Sequence, residues 1–596
     1  MKIEPLEPRI APATLLNPRT AQYTDSDGDL VTVHISKGAF LLSYNLVMTP
    51  SGMGEYLDTL KLFGQKEFNK ANLTITAEPS ELGGDGKVNI GLIAASKPRR
   101  FWSIDGIQLG EVVVDGDLAA IHVGTSGHKL ALRLLDVGSM GTQVGLAEDH
   151  VRSNIFGNVS KIHIRGNLED ASIAVYRDQF SPAPIQGSIA VLEVDGSLIG
   201  GNRPASAWIS FDTRLGRAVI KGDVIGGAGR LSGTISRLLP FAEDSDDYTV
   251  DADAVIESLE IRGSVIGGSG ELSGVVGAAF IDHLLVKGNV IGGSAKNSGW
   301  IGAAVLGRDI QIEGSLLGGS ANGTGCVYSN GTIKHLKIGG DLVGGLSEGM
   351  TLIESGLLKA RVFQNIEIGG SLFAGAQSGS ESFGVGAIRA EYRIASLTIG
   401  GEVFGYGDHP VIISAGQSIG TILVKQNFTA SEILVGYGAS VSTGLFTFWN
   451  TRYLQGTNWL DGESFSRLTP FKTLDYRGVV FSGVKQMKSL TVVGDFAASS
   501  VAVGVLSGAD GVFGTADDSL MSGTGSIAKI VIRGQAKGDA LIDTRHFGIV
   551  AGTIAALTVE GTASPLTNGR DYFALSDTPA SLPGDGLDFH FTELRN

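Results

Sequence analysis

The feature that most constrains this sequence is a strand-like segment that recurs about every 26 residues. Four consecutive copies carry the same apolar pattern around a central glycine, and they occupy residues 259–268, 284–293, 310–319 and 336–345. Their central glycines are 25 or 26 residues apart. A fixed period of this size is typical of solenoids and other repeat architectures, in which each repeat packs only against its neighbours.

The same pattern can be followed along most of the chain if the central residue is used as a register mark. Steps longer than 26 residues are interpreted as coils that carry an insertion, and the 50-residue step after Gly116 predicts a degenerate coil at 135–139. The largest step, 68 residues, follows Gln426. The marks are Gly116, Gly166, Gly196, Gly222, Gly263, Gly288, Gly314, Gly340, Gly370, Gly401, Gln426, Gly494, Gly534 and Gly561.

Within a repeat, apolar residues stand four and two positions before the mark and two positions after it, with polar residues between them. Alternation with a period of two indicates a half-buried strand. A second short apolar run ends in Gly-Gly, and a third stretch such as 274–280 completes a coil. The predicted fold is therefore all-β, a parallel β-helix (β-solenoid) of about 14 three-sided coils with an N-terminal β cap and irregular insertions.

A small polar residue follows almost every mark, as in Asn167, Ser197, Asp223, Asn289 and Asp341. Such side chains can accept hydrogen bonds from the turn backbone and from one another along a stack of coils. A column of ligands is the alternative interpretation, and the structural interpretation is preferred.

The pattern divides the chain into six predicted segments. Residues 1–20 are an export or sorting leader, and 21–95 are an N-terminal β cap domain. The β-helix with its insertions covers 96–435, an aromatic-rich excursion covers 436–485, the final coils cover 486–565, and a C-terminal cap covers 566–596.

Composition excludes several other classes of protein. Glycine makes up 87 of 596 residues without a Gly-X-Y period, which excludes collagen, and 43% hydrophobic residues exclude a disordered chain. A net charge of −15 argues against a nucleic-acid partner. No apolar run is long enough for a transmembrane helix, and the single cysteine, Cys326, excludes an internal disulfide.

Two acidic segments have the oxygen-rich character of calcium loops. Asp25, Asp27 and Asp29 alternate in the first one, and Asp510, Asp517 and Asp518 lie in the second. The first lacks the glycine position and the bidentate glutamate of an EF-hand loop, so a hairpin turn is preferred over a metal site. No cofactor is therefore expected, and Ca²⁺ is the alternative at these acidic segments.

Aromatic residues cluster between 446 and 476 in a protein that is only 7% aromatic. Trp449, Tyr453 and Trp459 are the candidates for contact with a sugar ring or a protein partner. A lid packed on the solenoid wall is the preferred interpretation of this cluster.

A catalytic site on a β-helix would place its groups in a column, because neighbouring coils stack about 4.8 Å apart. His283, Asp309 and His335 occupy the same position in three successive coils. Histidines two coils apart are too distant to share a zinc ion, so pairing at the surface is expected. No catalytic residue is predicted, and the chain is not expected to be an enzyme.

Several motifs resemble those of secreted, glycine-rich repeat surface proteins of planctomycete and verrucomicrobial bacteria. Residues 6–13 look like the LEPR-type N-terminal signal of that group, and the turn at 23–29, the passage from 84–91 to 112–118 and the loop at 511–518 are also similar. The resemblance covers most of the chain. It implies export and a role at the surface, and it implies no activity.

The expected function is a secreted or cell-surface structural or adhesive β-solenoid scaffold without catalytic activity. The alternative is a carbohydrate-binding or polysaccharide-degrading β-helix protein. Extracellular polysaccharide or components of the cell envelope are the expected partners.

Overall fold

The structure is a computed structural model in which contacts divide the chain into two compact units. Unit 1 comprises residues 1–238, 253–264 and 273–278, and unit 2 comprises 239–252, 265–272 and 279–596. The described residues are 12–99, 103–143, 151–177, 187–240, 248–250, 254–348, 352, 354–375, 377–378, 385–406, 409–438, 479–480, 482–509, 511–538, 547–564, 566, 571–574 and 589–594.

Unit 1 begins with a largely antiparallel β structure that contains one short helix, Leu42–Asn45, and one 3-10 turn, Lys66–Phe68. Two of its strands, Ala71–Glu78 and Val88–Ala94, run parallel to the first coil strand, Leu109–Gly124. They pair with the edge that this coil would otherwise leave open. The strands of this part are Thr14–Asn17, Thr20–Thr24, Leu30–Ile35, Leu46–Ser51, Gly54–Lys61, Ala71–Glu78, Val88–Ala94, Ser96–Arg99 and Ser103–Gly106.

The rest of unit 1 consists of stacked coils joined by parallel pairing. The strands that precede the marks are Leu109–Gly124, Leu130–Ser139, Asn158–Ile164, Ser188–Val194, Arg214–Ile220 and Val255–Ile261. Leu135 pairs with Val112 on one side and with Ile162 on the other. The degenerate coil predicted at 135–139 is therefore confirmed.

Two further sets of strands complete the coils of unit 1. Short strands follow the marks at Leu168–Glu169, Leu198–Ile199 and Val224–Ile225. The third side is formed by Arg152–Phe156, Ser172–Tyr176, Trp208–Phe211 and Thr234–Ser236. Each set pairs in parallel within itself. The coils thus have three sides, as the sequence predicts.

Unit 2 repeats this arrangement, but its third and first sides are often one bent strand. In Trp300–Ile312 the register with the next coil shifts near Leu306, where the strand turns from one side to the other. The long and mark-preceding strands are Val275–Val286 (which begins in unit 1), Trp300–Ile312, Cys326–Ile338, Leu357–Ile368, Ala387–Ile399, Ser418–Val424, Lys485–Val492, Ile530–Ile532 and Leu557–Val559.

The remaining strands of unit 2 are short. Those after the marks are Val265–Ile266, Val290–Ile291, Leu316–Leu317, Leu342–Val343, Leu372–Phe373, Val403–Phe404, Phe428–Thr429, Phe496–Ala497 and Ala536–Lys537. Separate third-side strands are Val411–Ala415, Ser431–Val435, Ser500–Val503, Phe547–Ala551 and Phe589–Glu593. Minor strands are Leu238–Pro240 (which begins in unit 1), Tyr248–Val250, Ser347–Glu348, Gln377–Ser378, Tyr437–Gly438, Val479–Val480, Val505–Leu506, Ser519–Leu520, Gly525–Ile527, Thr553–Ile554, Thr562–Ala563 and Tyr572–Ala574.

The core is built from columns of identical positions in successive coils. Val290, Leu316 and Leu342, each two residues after a mark, pair in register and are fully buried. Full burial of one such side chain contributes about 1.5–3 kcal/mol. The predicted inward positions, two and four before the mark and two after it, are therefore confirmed as the core of most described coils. In the last coil, marked by Gly561, Val559 is half-buried and Ala563 is exposed.

The polar residue after each mark forms a ladder, as the structural interpretation predicts. Asn289 Oδ1 accepts a hydrogen bond from the backbone N–H of Ser315 at 2.8 Å, and Ser315 Oγ accepts one from the N–H of Asp341 at 3.0 Å. Asp341 Oδ1 then accepts from the N–H of Ser371 at 2.7 Å. These side chains thus satisfy backbone N–H groups at the corner of the coil.

The predicted excursion begins and ends at a short antiparallel pair. Strand Tyr437–Gly438 pairs with Val479–Val480, so these two short strands lie side by side. Tyr437 is fully buried, and its hydroxyl donates a hydrogen bond to Val505 O at 2.9 Å. Among the described residues, no helix has the length and apolar character needed to span a membrane.

Candidate metal centre and the charged outer face

The first acidic segment is a hairpin turn between strands Thr20–Thr24 and Leu30–Ile35. It folds around the carboxylate of Asp25, whose Oδ1 accepts hydrogen bonds from the N–H groups of Asp27 (3.3 Å), Gly28 (3.2 Å) and Asp29 (2.9 Å). Gly28 has a φ of +109°, a conformation that favours glycine. The segment is therefore a hairpin turn, as the sequence predicts.

A second loop lies against this turn and explains a glycine-rich stretch of the sequence. Asp29 is fully buried, and its Oδ2 accepts hydrogen bonds from the N–H groups of Gly86 (2.8 Å) and Lys87 (3.1 Å). A Cβ atom at Gly84 would lie 1.7 Å from Asp29 Oδ1. The close approach of this loop to the aspartate therefore requires glycine at position 84.

A third loop also contacts the turn. It joins strands Leu46–Ser51 and Gly54–Lys61, which form a second hairpin. The N–H of Met53 donates a hydrogen bond to Ser26 O at 2.9 Å. A Cβ atom at Gly54 would lie 2.2 Å from the backbone oxygen of Asp25. The sequence-based prediction missed both neighbouring loops, although the glycines at 52, 54, 84 and 86 are the signal that could have revealed them.

Together these contacts bring three carboxylates to one place. One oxygen each from Asp25, Asp27 and Asp29 lies within 4.8 Å of the other two. Asp25 and Asp29 are buried and Asp27 is exposed. Burial raises the pKa of Asp25 to about 7, and its hydrogen bond with Asp27 adds to the shift. Throughout the described ranges, no lysine or arginine forms an ion pair with these three residues.

The second acidic segment has a different arrangement. Asp517 accepts hydrogen bonds from Ala509 N–H and the Thr515 hydroxyl, both at 2.7 Å, and Asp518 accepts one from Gly514 N–H at 2.7 Å. These contacts close the loop on itself. Asp510 lies outside the described residues, and within the described ranges Asp517 and Asp518 do not join a third metal-binding side chain.

Trp449, Tyr453 and Trp459 all lie outside the described residues. Their assignment to a glycan or partner site stays a prediction from the sequence.

An open groove on the outer face of unit 1 is rich in charge. Its lining consists of His163, Glu193, Asp195, Arg217, Val219, Lys221 and Arg262. Lys161 Nζ lies 2.7 Å from Glu193 Oε2, and Lys221 Nζ lies 2.9 Å from Asp195 Oδ1. The hydrogen bond from Lys161 lowers the pKa of the Glu193 carboxyl group below its ordinary value.

The histidine column of unit 2 forms pairs at the surface. His335 Nδ1 lies 3.6 Å from Asp309 Oδ1, and its Nε2 lies 3.8 Å from Glu367 Oε1. His283 lies 3.6 Å from its own neighbour Asp282. These contacts match the surface pairing expected from the sequence, and they do not bring His283 to Asp309.

Comparison with known proteins finds no match for this chain. No protein-family model matches the chain, and neither a curated protein nor a solved structure is significantly similar to it.

Proposed function

We propose that this protein is a non-catalytic β-solenoid scaffold, secreted or held at the cell surface, where it has a structural or adhesive role. The observation that carries the proposal is the way in which charged side chains on the outer face of the coils neutralise one another. A catalytic site needs titratable groups that are left available for a substrate.

His163 in the groove of unit 1 and the charged residues that pair beside it illustrate this pairing. His163 lies 3.5 Å from Asp136 on one neighbouring strand and 3.3 Å from Asp195 on the other. Arg165 lies 3.0 Å from Asp115 and 3.1 Å from Asp136. Side chains that bridge coils in this way reinforce the stack along its outer face. The extracellular location is inferred from the resemblance of residues 6–13 to a sorting signal.

Cell fractionation of the producing organism, combined with protease treatment of intact cells, tests the location. We expect the protein in the medium or at the cell surface, where external protease degrades it. A cytosolic protein of known location serves as the control for lysis. Recovery of the intact chain only with the cytosol would contradict the proposal.

A binding screen of the purified chain against envelope polysaccharides tests the alternative function. If a glycan binds, Trp449→Ala and Trp459→Ala distinguish the aromatic excursion from the coil surface. The control is Tyr44→Ala, because Tyr44 is an exposed aromatic residue far from that segment in sequence. Turnover of a bound polysaccharide would refute the non-catalytic assignment.

A further inference from the structure

We propose that Asp25, Asp27 and Asp29 bind one Ca²⁺ ion at the hairpin turn of unit 1. This proposal rests on the local geometry of the turn and not on the function proposed above.

The separation of the carboxylates suits a single ion. Ca²⁺ binds oxygen at about 2.3–2.6 Å, so two ligand oxygens on opposite sides of one ion are up to about 5 Å apart. The three carboxylate oxygens of the turn lie within 4.8 Å of one another. One ion can therefore contact all three.

A buried oxygen without a hydrogen-bond partner supplies an independent reason for a ligand. Asp29 is fully buried, and its Oδ1 accepts no hydrogen bond, whereas its Oδ2 accepts two. A buried polar atom left unpaired is costly, and a charged one more so. A proton shared between Asp25 and Asp27 would relieve their repulsion but would leave this oxygen unpaired. A cation satisfies both requirements.

The chemistry of the donors selects the class of metal. All three are hard carboxylate oxygens, which suit Ca²⁺, Mg²⁺ or Mn²⁺ better than zinc or copper. Ca²⁺ accepts irregular coordination by 6–8 oxygens, whereas Mg²⁺ demands a near-ideal octahedron. Asp25 Oδ1 is already committed to three N–H groups, and such a constrained set of donors favours the more permissive ion.

The position of the site gives the ion a structural consequence. Asp29 also holds the backbone of Gly86 and Lys87, which lead into strand Val88–Ala94. That strand runs parallel to the first coil strand, Leu109–Gly124. An ion at the turn would therefore stabilise the loop before strand Val88–Ala94, which pairs with the first coil strand.

Calorimetric titration of the full-length, chelator-treated protein with CaCl₂ tests the proposal, together with Asp27→Asn. Asp27 is exposed, and among the described residues its carboxylate accepts no hydrogen bond from a backbone group, so this change removes one ligand and spares the turn. We expect saturable Ca²⁺ binding by the wild type, a higher midpoint of thermal unfolding with Ca²⁺ than with chelator, and weaker binding of MgCl₂. Asp27→Asn should weaken this binding at least about tenfold.

The matched control is Glu81→Gln, which removes one negative charge from the adjacent loop but lies outside the cluster. It should bind Ca²⁺ as the wild type does. The proposal is wrong if the wild type binds no Ca²⁺, or if Asp27→Asn binds it with unchanged affinity and stoichiometry, since the ion would then be held elsewhere.

Discussion

At the scale of single residues, the glycine at most of the described marks has a steric cause that the stack of coils imposes. The polar side chain of the preceding coil lies over the glycine to reach the next backbone N–H. A Cβ atom at Gly314 would lie 2.3 Å from Asn289 Oδ1 and 2.6 Å from Gly288 O. The repeated glycine and the repeated polar residue are therefore two parts of one arrangement.

Gly314→Ala should destabilise unit 2 by about 1–3 kcal/mol. The added methyl group displaces the Asn289 side chain, which accepts a hydrogen bond from the N–H of Ser315. Gly166→Ala is the matched comparison in unit 1, since the nearest atom to its Cβ would be Gly138 O at 2.9 Å, with no side-chain oxygen close by. Denaturant unfolding of both variants measures the effect. Equal losses would show that the polar ladder is not the reason for the glycine.

Cys326 should be unreactive in the folded protein. It is buried in unit 2, and burial raises the pKa of its thiol to about 12, so almost no thiolate exists at neutral pH. Treatment with a thiol reagent should leave it unmodified in buffer and modify it fully in denaturant. Rapid labelling of the native protein would contradict this burial.

At the scale of elements, the column of apolar residues two positions after the marks becomes aromatic next to the longest step between marks. Most coils have valine or leucine two residues after the mark. The coils on either side of the excursion have Phe428 and Phe496 at this position. Their rings stack with centroids 5.1 Å apart and planes 2° from parallel, and both are fully buried. Phe496 also meets the ring of Phe589 edge-on at 5.9 Å.

Phe496→Ala should therefore reduce the stability of unit 2 by about 3–5 kcal/mol, the usual cost of deleting a buried aromatic ring. Phe496→Leu, which restores the residue found at this position in other coils, should cost less. Thermal or denaturant unfolding of the two variants gives the comparison. If both variants lose the same amount, the stack is not what stabilises these coils.

A second corner of the coil, at residues 231–233 and 272–274, has a backbone pattern that the repeat did not predict. Leu231 and Leu272 have φ values of +59° and +55°, and the glycines two residues later, Gly233 and Gly274, are also positive at +59° and +64°. The serine between each pair is fully buried. The recurring Leu-Ser-Gly at 231–233 and 272–274 was the available signal, since glycine marks positive φ values.

At the scale of the whole molecule, repeat proteins gain stability from each coil and from its contacts with its neighbours, so distant coils need not unfold together. Trp208 in unit 1 and Trp300 in unit 2 are 4% and 2% exposed, and each can report on its own unit. The other tryptophans are Trp102, Trp449 and Trp459.

In variants that retain only Trp208 or only Trp300, with phenylalanine at the other tryptophans, denaturant unfolding should give different midpoints. Circular dichroism of each variant serves as the control for total strand content. Coincident transitions for both probes and for circular dichroism would instead show one cooperative unit.

The sequence by itself determined the coil. Periodic apolar positions must share one buried face, so spacing alone identified the strands, their register and even the degenerate coil at 135–139. The inference from small polar residues to a hydrogen-bond ladder succeeded for the same reason, because a repeated position in a solenoid meets its own copy in the next coil.

Only the tertiary structure decided what the turns do. Asp29 lies 57 residues before Gly86, and no periodicity links them. Their contact depends on how two irregular loops cross, which local pattern does not encode. The same holds for His283, which shares a repeat position with Asp309 but pairs with Asp282 instead. Strand register determines the position of each backbone segment, whereas the rotamer of an exposed side chain determines which neighbour it contacts.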